Sequence, residues 1–205
     1  MIDCIELVKP FLTFDSDDDF YFLQILQRKK ENPQIGSNSR VIKNYYIRSY
    51  NHLIDRYDEI KELCNLFNAR ASLRLNKRSF EKVAFKTLSN ISNTMQNRDY
   101  GHISKQYDKA CGQLNNEVIK TWIVDVDKDE LIWLEQIINS IEPCHPLMNP
   151  IIGQLPTKSG VHIITTPFNQ MQFRNNLKLE LEKYQMKEEI TIDIHKDNPI
   201  NLYIP

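Results

Sequence analysis

Trp122-Ile123-Val124-Asp125-Val126-Asp127 is an apolar run that ends on two acids one residue apart. Read as a strand, it alternates its faces: Val124 and Val126 point into a core, and Asp125 and Asp127 point together out of it. Neighbouring carboxylates repel, and a cation between them relieves that cost. Hard oxygen ligands at this spacing suit Mg²⁺ or Mn²⁺. The competing reading is a strand that runs into a helix, with Asp127 or Asp129 as its N-cap. D-x-D is too short a pattern to choose between the two.

Two later segments extend the pattern. Pro156-Thr157-Lys158-Ser159-Gly160-Val161-His162-Ile163-Ile164 reads as a turn followed by a strand. Lys158, Ser159, the flexible backbone at Gly160 and His162 together supply donors suited to a phosphate chain. Ile190-Thr191-Ile192-Asp193-Ile194-His195 then alternates strictly, with the isoleucines on one face and Thr191, Asp193 and His195 on the other. The order is paired carboxylates, a phosphate-type loop with a histidine, and one more carboxylate. A metal-dependent phosphoryl-transfer site needs those parts.

In these three motifs the chain resembles the archaeo-eukaryotic primase superfamily, the primase-polymerases. That family carries a hydrophobic-D-x-D motif, a small-x-H motif and a hydrophobic-D motif in this order. Here they are Ile123-Val124-Asp125-Val126-Asp127, Gly160-Val161-His162 and Ile192-Asp193, and Asn201-Leu202-Tyr203-Ile204-Pro205 is similar to the apolar stretch that often follows. The match covers residues 120–205, with a looser agreement of element order upstream. The resemblance implies an α+β fold of two packed α/β modules, the second an RRM-like antiparallel sheet with helices, as in primase-polymerase catalytic cores. The modules would be an N-terminal one over residues 1–100, with a basic strand and helix, and a catalytic one over 101–205.

The resemblance also implies an activity: template-dependent nucleotide transfer to a 3′-hydroxyl, or synthesis of a primer. Asp125, Asp127 and Asp193 would hold two ions, Mg²⁺ or Mn²⁺. Lys158, Ser159, Gly160 and His162 would hold the incoming nucleotide. The substrates would be nucleoside triphosphates on a single-stranded nucleic-acid template. No zinc module or helicase domain is visible, so a helicase or accessory replication subunit would come from another chain. Two other readings stay open: a nucleic-acid-binding module on the same fold with weak or lost catalysis, and a metal-dependent nuclease.

Composition narrows the classes. Hydrophobic residues at 41% and charged residues at 26% are an ordinary globular balance, and no apolar run is long enough to span a membrane. Cys4, Cys64, Cys111 and Cys144 are scattered, which fits reduced cytoplasmic thiols better than a disulfide set or a zinc site. A Lys/Asn/Ile-rich chain of this size would suit a phage or mobile element of an AT-rich host. The net charge of −1 excludes a general polyanion binder, but residues 70–86 hold six cations against one acid, Glu81. Arg70, Arg74, Lys77 and Arg78 in that segment are therefore candidate nucleic-acid contacts, against the alternative of a solvated basic face. Tyr45 and Tyr46 are candidates for base stacking or for core packing.

Along the chain, residues 17–30 read as a helix with Asp17 near its cap, and residues 43–48 as a strand. Ser49 opens a helix with Leu53, Tyr57, Ile60 and Cys64 at helical spacing, and 69–75 alternates as a strand. Strand-helix-strand predicts a parallel pair with a right-handed crossover. Ser79 caps a helix whose stripe is Phe80, Val83, Ala84, Leu88, Ile91 and Met95, and a further helix covers roughly 103–114. After the 122–127 strand come a helix over 130–141, a strand pair around the Lys158-Ser159-Gly160 turn, a helix over 169–185 and a strand over 189–195.

Overall fold

The computed structural model describes residues 1–36, 38–114, 120–184 and 190–205. Along the chain run β1 (Ile2–Asp3), α1 (Ile5–Val8), β2 (Asp19–Gln27), β3 (Arg40–Ile47), α2 (Tyr50–Phe67), β4 (Arg70–Arg74), β5 (Arg78–Ser79), α3 (Phe80–Gln96) and α4 (Gln106–Gln113). There follow β6 (Trp122–Val126), α5 (Leu134–Ile141), β7 (Ile151–Pro156), β8 (Val161–Thr165), α6 (Gln170–Glu182), β9 (Asp193–His195) and β10 (Pro199–Ile204). The class is α+β. One unit gathers Met1, Asp3–Val118 and Asn201–Pro205, and the other gathers Ile2 and Ile119–Ile200.

The first unit is built on a sheet ordered β1-β10-β4-β2-β3, with β5 also paired to β2. Its strand β2, paired with β3, β4 and β5, lies in the segment expected to be a first helix, and the structure corrects that expectation. Asp19-Phe20-Tyr21-Phe22-Leu23-Gln24-Ile25-Leu26-Gln27 is buried almost throughout, because both of its faces are covered. A strand covered on both sides can carry apolar residues at consecutive positions, as Phe20 to Leu23 do here, and the period of 2 then fades from its sequence. Phe20 and Phe22 pack with Val83, Ala110 and Cys111 on one face. Tyr21, Leu23 and Ile25 share the other face with Ile47, Tyr45, Leu73 and Ala71, and α2 packs against these strands. Ser49 caps α2 by accepting from the His52 amide at 3.0 Å, and Asn68 closes it in the left-handed conformation at φ 46°.

β3 and β4 both run antiparallel to β2, so they are parallel to one another. They are not neighbours, however: β2 occupies the slot between them. The expected direct pair fails because the strand that separates them reads as a helix. The stripe expected on α3 also differs. Val83 is buried, but so are Asn90 and Thr94, while Leu88 and Met95 face solvent. Residues 101–114 belong with the first unit rather than the second, since Ala110 and Cys111 of α4 complete the cluster around Phe20.

The second unit carries a four-stranded sheet ordered β7-β8-β6-β9, antiparallel at each pairing. The expected strand pair around the Lys158-Ser159-Gly160 turn is β7–β8. One face packs on α5 and α6: Val124, Val126, Ile163 and Ile192 meet Ile137, Ile141, Phe173, Leu177 and Leu181. Those helical residues recur every four positions, a single face of each helix. The expected 130–141 helix starts as a 3-10 turn over Lys128–Trp133 and becomes α-helical at Leu134. Of the expected final strand over 189–195, Glu189 lies outside the described residues, and Asp193–His195 is paired.

Candidate active site

What stands on the face of the second sheet away from α5 and α6 is decided by the alternation of β6. With Val124 and Val126 fully buried against the helices, Asp125 must project from the other side. The register of the neighbours then fixes what stands beside it. On one flank Asp125 is directly opposite His162 of β8, and on the other it is directly opposite Asp193 of β9. Directly opposite residues share a face, with Cβ atoms roughly 4.5–5.5 Å apart. The first and third sequence motifs are thus cross-strand neighbours, and the histidine of the second completes the row His162–Asp125–Asp193.

His162 is 8% exposed, and its Nε2 lies 3.4 Å from Asp125 Oδ1. Its Nδ1 is buried without a hydrogen-bond partner. Asp193 is exposed and Asp125 partly so. His195 lies one row along on the same face, opposite Ile123. Asp127 follows the end of β6 in extended conformation, and it caps the Lys128–Trp133 turn. The capping alternative read from the sequence is therefore realised in the structure.

Glu130 completes that cap, with its Oε2 accepting from the Asp127 amide at 2.8 Å. Burial pushes its carboxyl above the ordinary range, and the charges of Asp127, Asp125 and Asp193 push it the same way. It is a fourth acid in the electrostatic neighbourhood, and the motif reading passed over it. A signal was present: an acid at the cap and a glutamate three residues later form a capping box. The acids are neighbours rather than a closed cage. Among the described residues no group of three or more His, Cys, Asp or Glu side chains is drawn together as a metal-holding cluster.

The turn after β7 is held tightly. The Thr157 amide donates to the Gly160 carbonyl at 2.9 Å, and the Gly160 amide donates to Thr157 Oγ1 at 2.9 Å. Lys158 and Ser159 stand exposed at its tip. A Cβ on Gly160 would overlap the carbonyl oxygen of Val126 and lie 3.1 Å from Asp127 Cα. Glycine at this position lets the turn lie directly against the end of the D-x-D strand.

The basic segment of the first unit differs from an open cationic face. Arg70 forks Glu31 with two nitrogens, Nε at 2.9 Å, in a nearly buried pair. Lys77 pairs with Asp15, and with Asp19 at 3.4 Å. Arg78 is fully buried and donates to the carbonyls of Cys111, at 2.9 Å, and Asn76. Arg74 is partly exposed. The expectation that these four line a nucleic-acid surface does not match the burial of three of them. Alternation in a strand covered on both sides reports two interior faces, not an interior and a solvent face. Tyr46 also turns inward, stacked on Phe22 and donating to Asp108 Oδ1 at 2.7 Å.

The four cysteines are buried thiols, and burial pushes those of Cys64 and Cys111 up to about 12. At such values they are neither nucleophiles nor ready metal ligands. No helix among the described residues is long and apolar enough to cross a membrane. Comparison of the chain with protein-family models, with curated proteins and with solved structures finds no match.

Proposed function

We propose that the protein is a template-dependent nucleotidyltransferase of the primase-polymerase type, its second unit serving as an RRM-like catalytic module. The observation that carries the reading is the row His162–Asp125–Asp193, which three motifs far apart in sequence build from adjacent strands. Like charges directly opposite one another in a sheet are destabilising. A protein that keeps two of them side by side, with a third acid at Asp127, has a donor set of hard oxygens suited to Mg²⁺ or Mn²⁺.

In this reading Asp125, Asp127 and Asp193 hold the divalent ions. Ions held there would supply charge neutralisation for phosphoryl transfer. The side chains of the protein do the rest. Asp125 and Asp193 fix the position of the 3′-hydroxyl relative to the α-phosphate. His162, kept in place by burial and by Asp125, donates to the phosphate chain. Lys158 and Ser159, on the tip of the tight turn, add a charge and a hydroxyl to the same anion. Gly160 sets the distance between that turn and Asp127.

The test is incubation with a single-stranded template, labelled nucleoside triphosphates and Mn²⁺ or Mg²⁺. Extension or primer synthesis that requires the metal and is lost in Asp125→Asn supports the reading. Template binding without transfer would leave a nucleic-acid-binding module, and metal-dependent shortening of the template would make the protein a nuclease.

A further inference from the structure

Helix α3 carries most of its apolar residues on the outside. Its buried residues are Val83, Asn90 and Thr94, of which only Val83 is apolar. Toward α4 and the Tyr100–Lys105 turn it presents Asn90, Asn93 and Thr94. Ala84, Leu88, Ile91 and Met95 each follow by one residue the inner line Val83, Thr87, Asn90 and Thr94. They therefore form a second line, turned roughly 100° from the first. Leu88 is 64% exposed and Met95 52%, while Ala84 is exposed and Ile91 partly so. Phe85, 65% exposed, widens the line near its start. An amphipathic helix ordinarily buries such a line.

The outer line is symmetric. Its steps are four, three and four residues, so it reads the same in both directions about a point between Ser89 and Asn90. Steps of three and four are those of a coiled-coil seam. A two-fold axis through that point lays a second copy antiparallel, with Leu88 against the partner's Ile91 and Ala84 against the partner's Met95. The shortest side chain then faces the longest, and each layer fills to a similar volume. A parallel pair would set alanine on alanine and methionine on methionine, a gap at one end and a wedge at the other. The end charges agree with the antiparallel choice. Glu81 stands exposed at the start of α3, and Arg98 stands exposed just past its end. Antiparallel helices bring each Glu81 to the partner's Arg98, whereas parallel ones set like charges together.

The area is also sufficient. Three large side chains more than half exposed, with Ala84 and Ile91, offer on the order of 400 Å² of apolar surface per copy. Two copies would cover about 800 Å², and at the roughly 60% apolar share of interfaces the total comes to about 1,300 Å², a size that specific pairs reach. We propose that α3 is the interface of a homodimer, two copies pairing their helices antiparallel through Ala84, Leu88, Ile91 and Met95. The inference stands on α3 alone and does not depend on the carboxylate row of the second unit.

The experiment is sedimentation of the full chain across a concentration series from about 1 to about 500 µM. The mass is expected to rise from one chain to two, with half-association at about 10–100 µM. Leu88→Glu changes a side chain already in water, so it should leave the melting temperature unchanged while weakening association about tenfold or more. Glu81→Arg should weaken it too, and Glu81→Arg combined with Arg98→Glu should restore it, a recovery that damage to the fold would not produce. Orientation is read by cross-linking. The four native cysteines are buried, so a short bismaleimide joins only thiols introduced by Ala84→Cys or Met95→Cys. The two variants mixed should cross-link, and each alone should not. Ala84→Cys joined to itself, association that survives Leu88→Glu, or a single chain at every concentration overturns the proposal. If the chain stays single while an apolar helical peptide or a single-stranded nucleic acid shifts the amides of residues 84–95, the face belongs to that occupant and the dimer is refuted. Asp125→Asn should leave the dimer intact, which separates this outcome from the catalytic reading.

Discussion

Asp125 and Asp193 meet across adjacent strands with nothing but register to choose their distance. Two like charges in such a pair cost roughly 0.2–1 kcal/mol. Asp193→Asn is therefore expected to leave the metal-free protein as stable or up to about 1 kcal/mol more stable, while nucleotide transfer disappears. Denaturant melts beside a primer-extension assay decide it; a clear loss of stability would mean that the carboxylate is structural. Asp127→Asn is a poorer probe, because asparagine caps a helix about as well as aspartate. Glu130 carries the pH dependence. Its folded carboxyl is raised, so the native state holds its proton more strongly than the unfolded chain does. Stability should fall as pH rises from the ordinary carboxyl range through that raised value. Glu130→Gln keeps an acceptor for the Asp127 amide and should remove this slope. Melts across the acidic range, variant against unaltered protein, test it, and parallel curves would refute it. Gly160→Ala sets a methyl against the backbone of Val126 and should cost about 1–3 kcal/mol, read from the same melts. That Asp125 and Asp193 each project from the polar face of a strand was legible in the sequence from period-2 spacing. That His162 stands directly opposite Asp125 was not, because register depends on how strands pair, and no single strand records its partner.

At the scale of elements, β4 and the turn after it show how a charge-rich segment can be interior. Arg78 holds two backbone carbonyls from different parts of the first unit, Cys111 and Asn76. Arg78→Met keeps the volume but strands those acceptors, and a loss of roughly 3 kcal/mol is expected. Affinity of the folded fraction for single-stranded nucleic acid, and its salt slope, should stay unchanged. A shallower slope would show Arg78 neutralising phosphate. Elements with one covered face were read well: α2 with its Ser49 cap, α6, and the hairpin β7–β8. The element misread was β2, whose two covered faces erase the alternation that marks a strand. That one error also hid why β3 and β4 are parallel yet apart. The α3 stripe was misread for the opposite reason: its inner face is partly polar, so hydrophobic spacing points to the wrong side.

For the whole molecule, the telling feature is β10, which lies between β1 and β4 in the first sheet although nearly all of the second unit precedes it in sequence. The strand is mostly buried, with Ile200, Leu202, Tyr203 and Ile204 in the core. Deleting residues 199–204 should therefore melt the unit formed by Asp3–Val118, although no residue of its long segment is removed. Hydrogen exchange would show protection lost in β4 and β2, and retained protection there would mean that the sheet closes without its filler. The same threading sets a timetable for synthesis. A ribosome delivers the amino-terminal strands early, but their missing neighbour emerges only after about 80 further residues. During that interval β4 offers an unpaired backbone edge, the surface on which strangers can add a strand. The second unit is nearly complete while the first still waits for its last strand. Swifter translation of residues 119–200 should shorten the time for which that edge stands open.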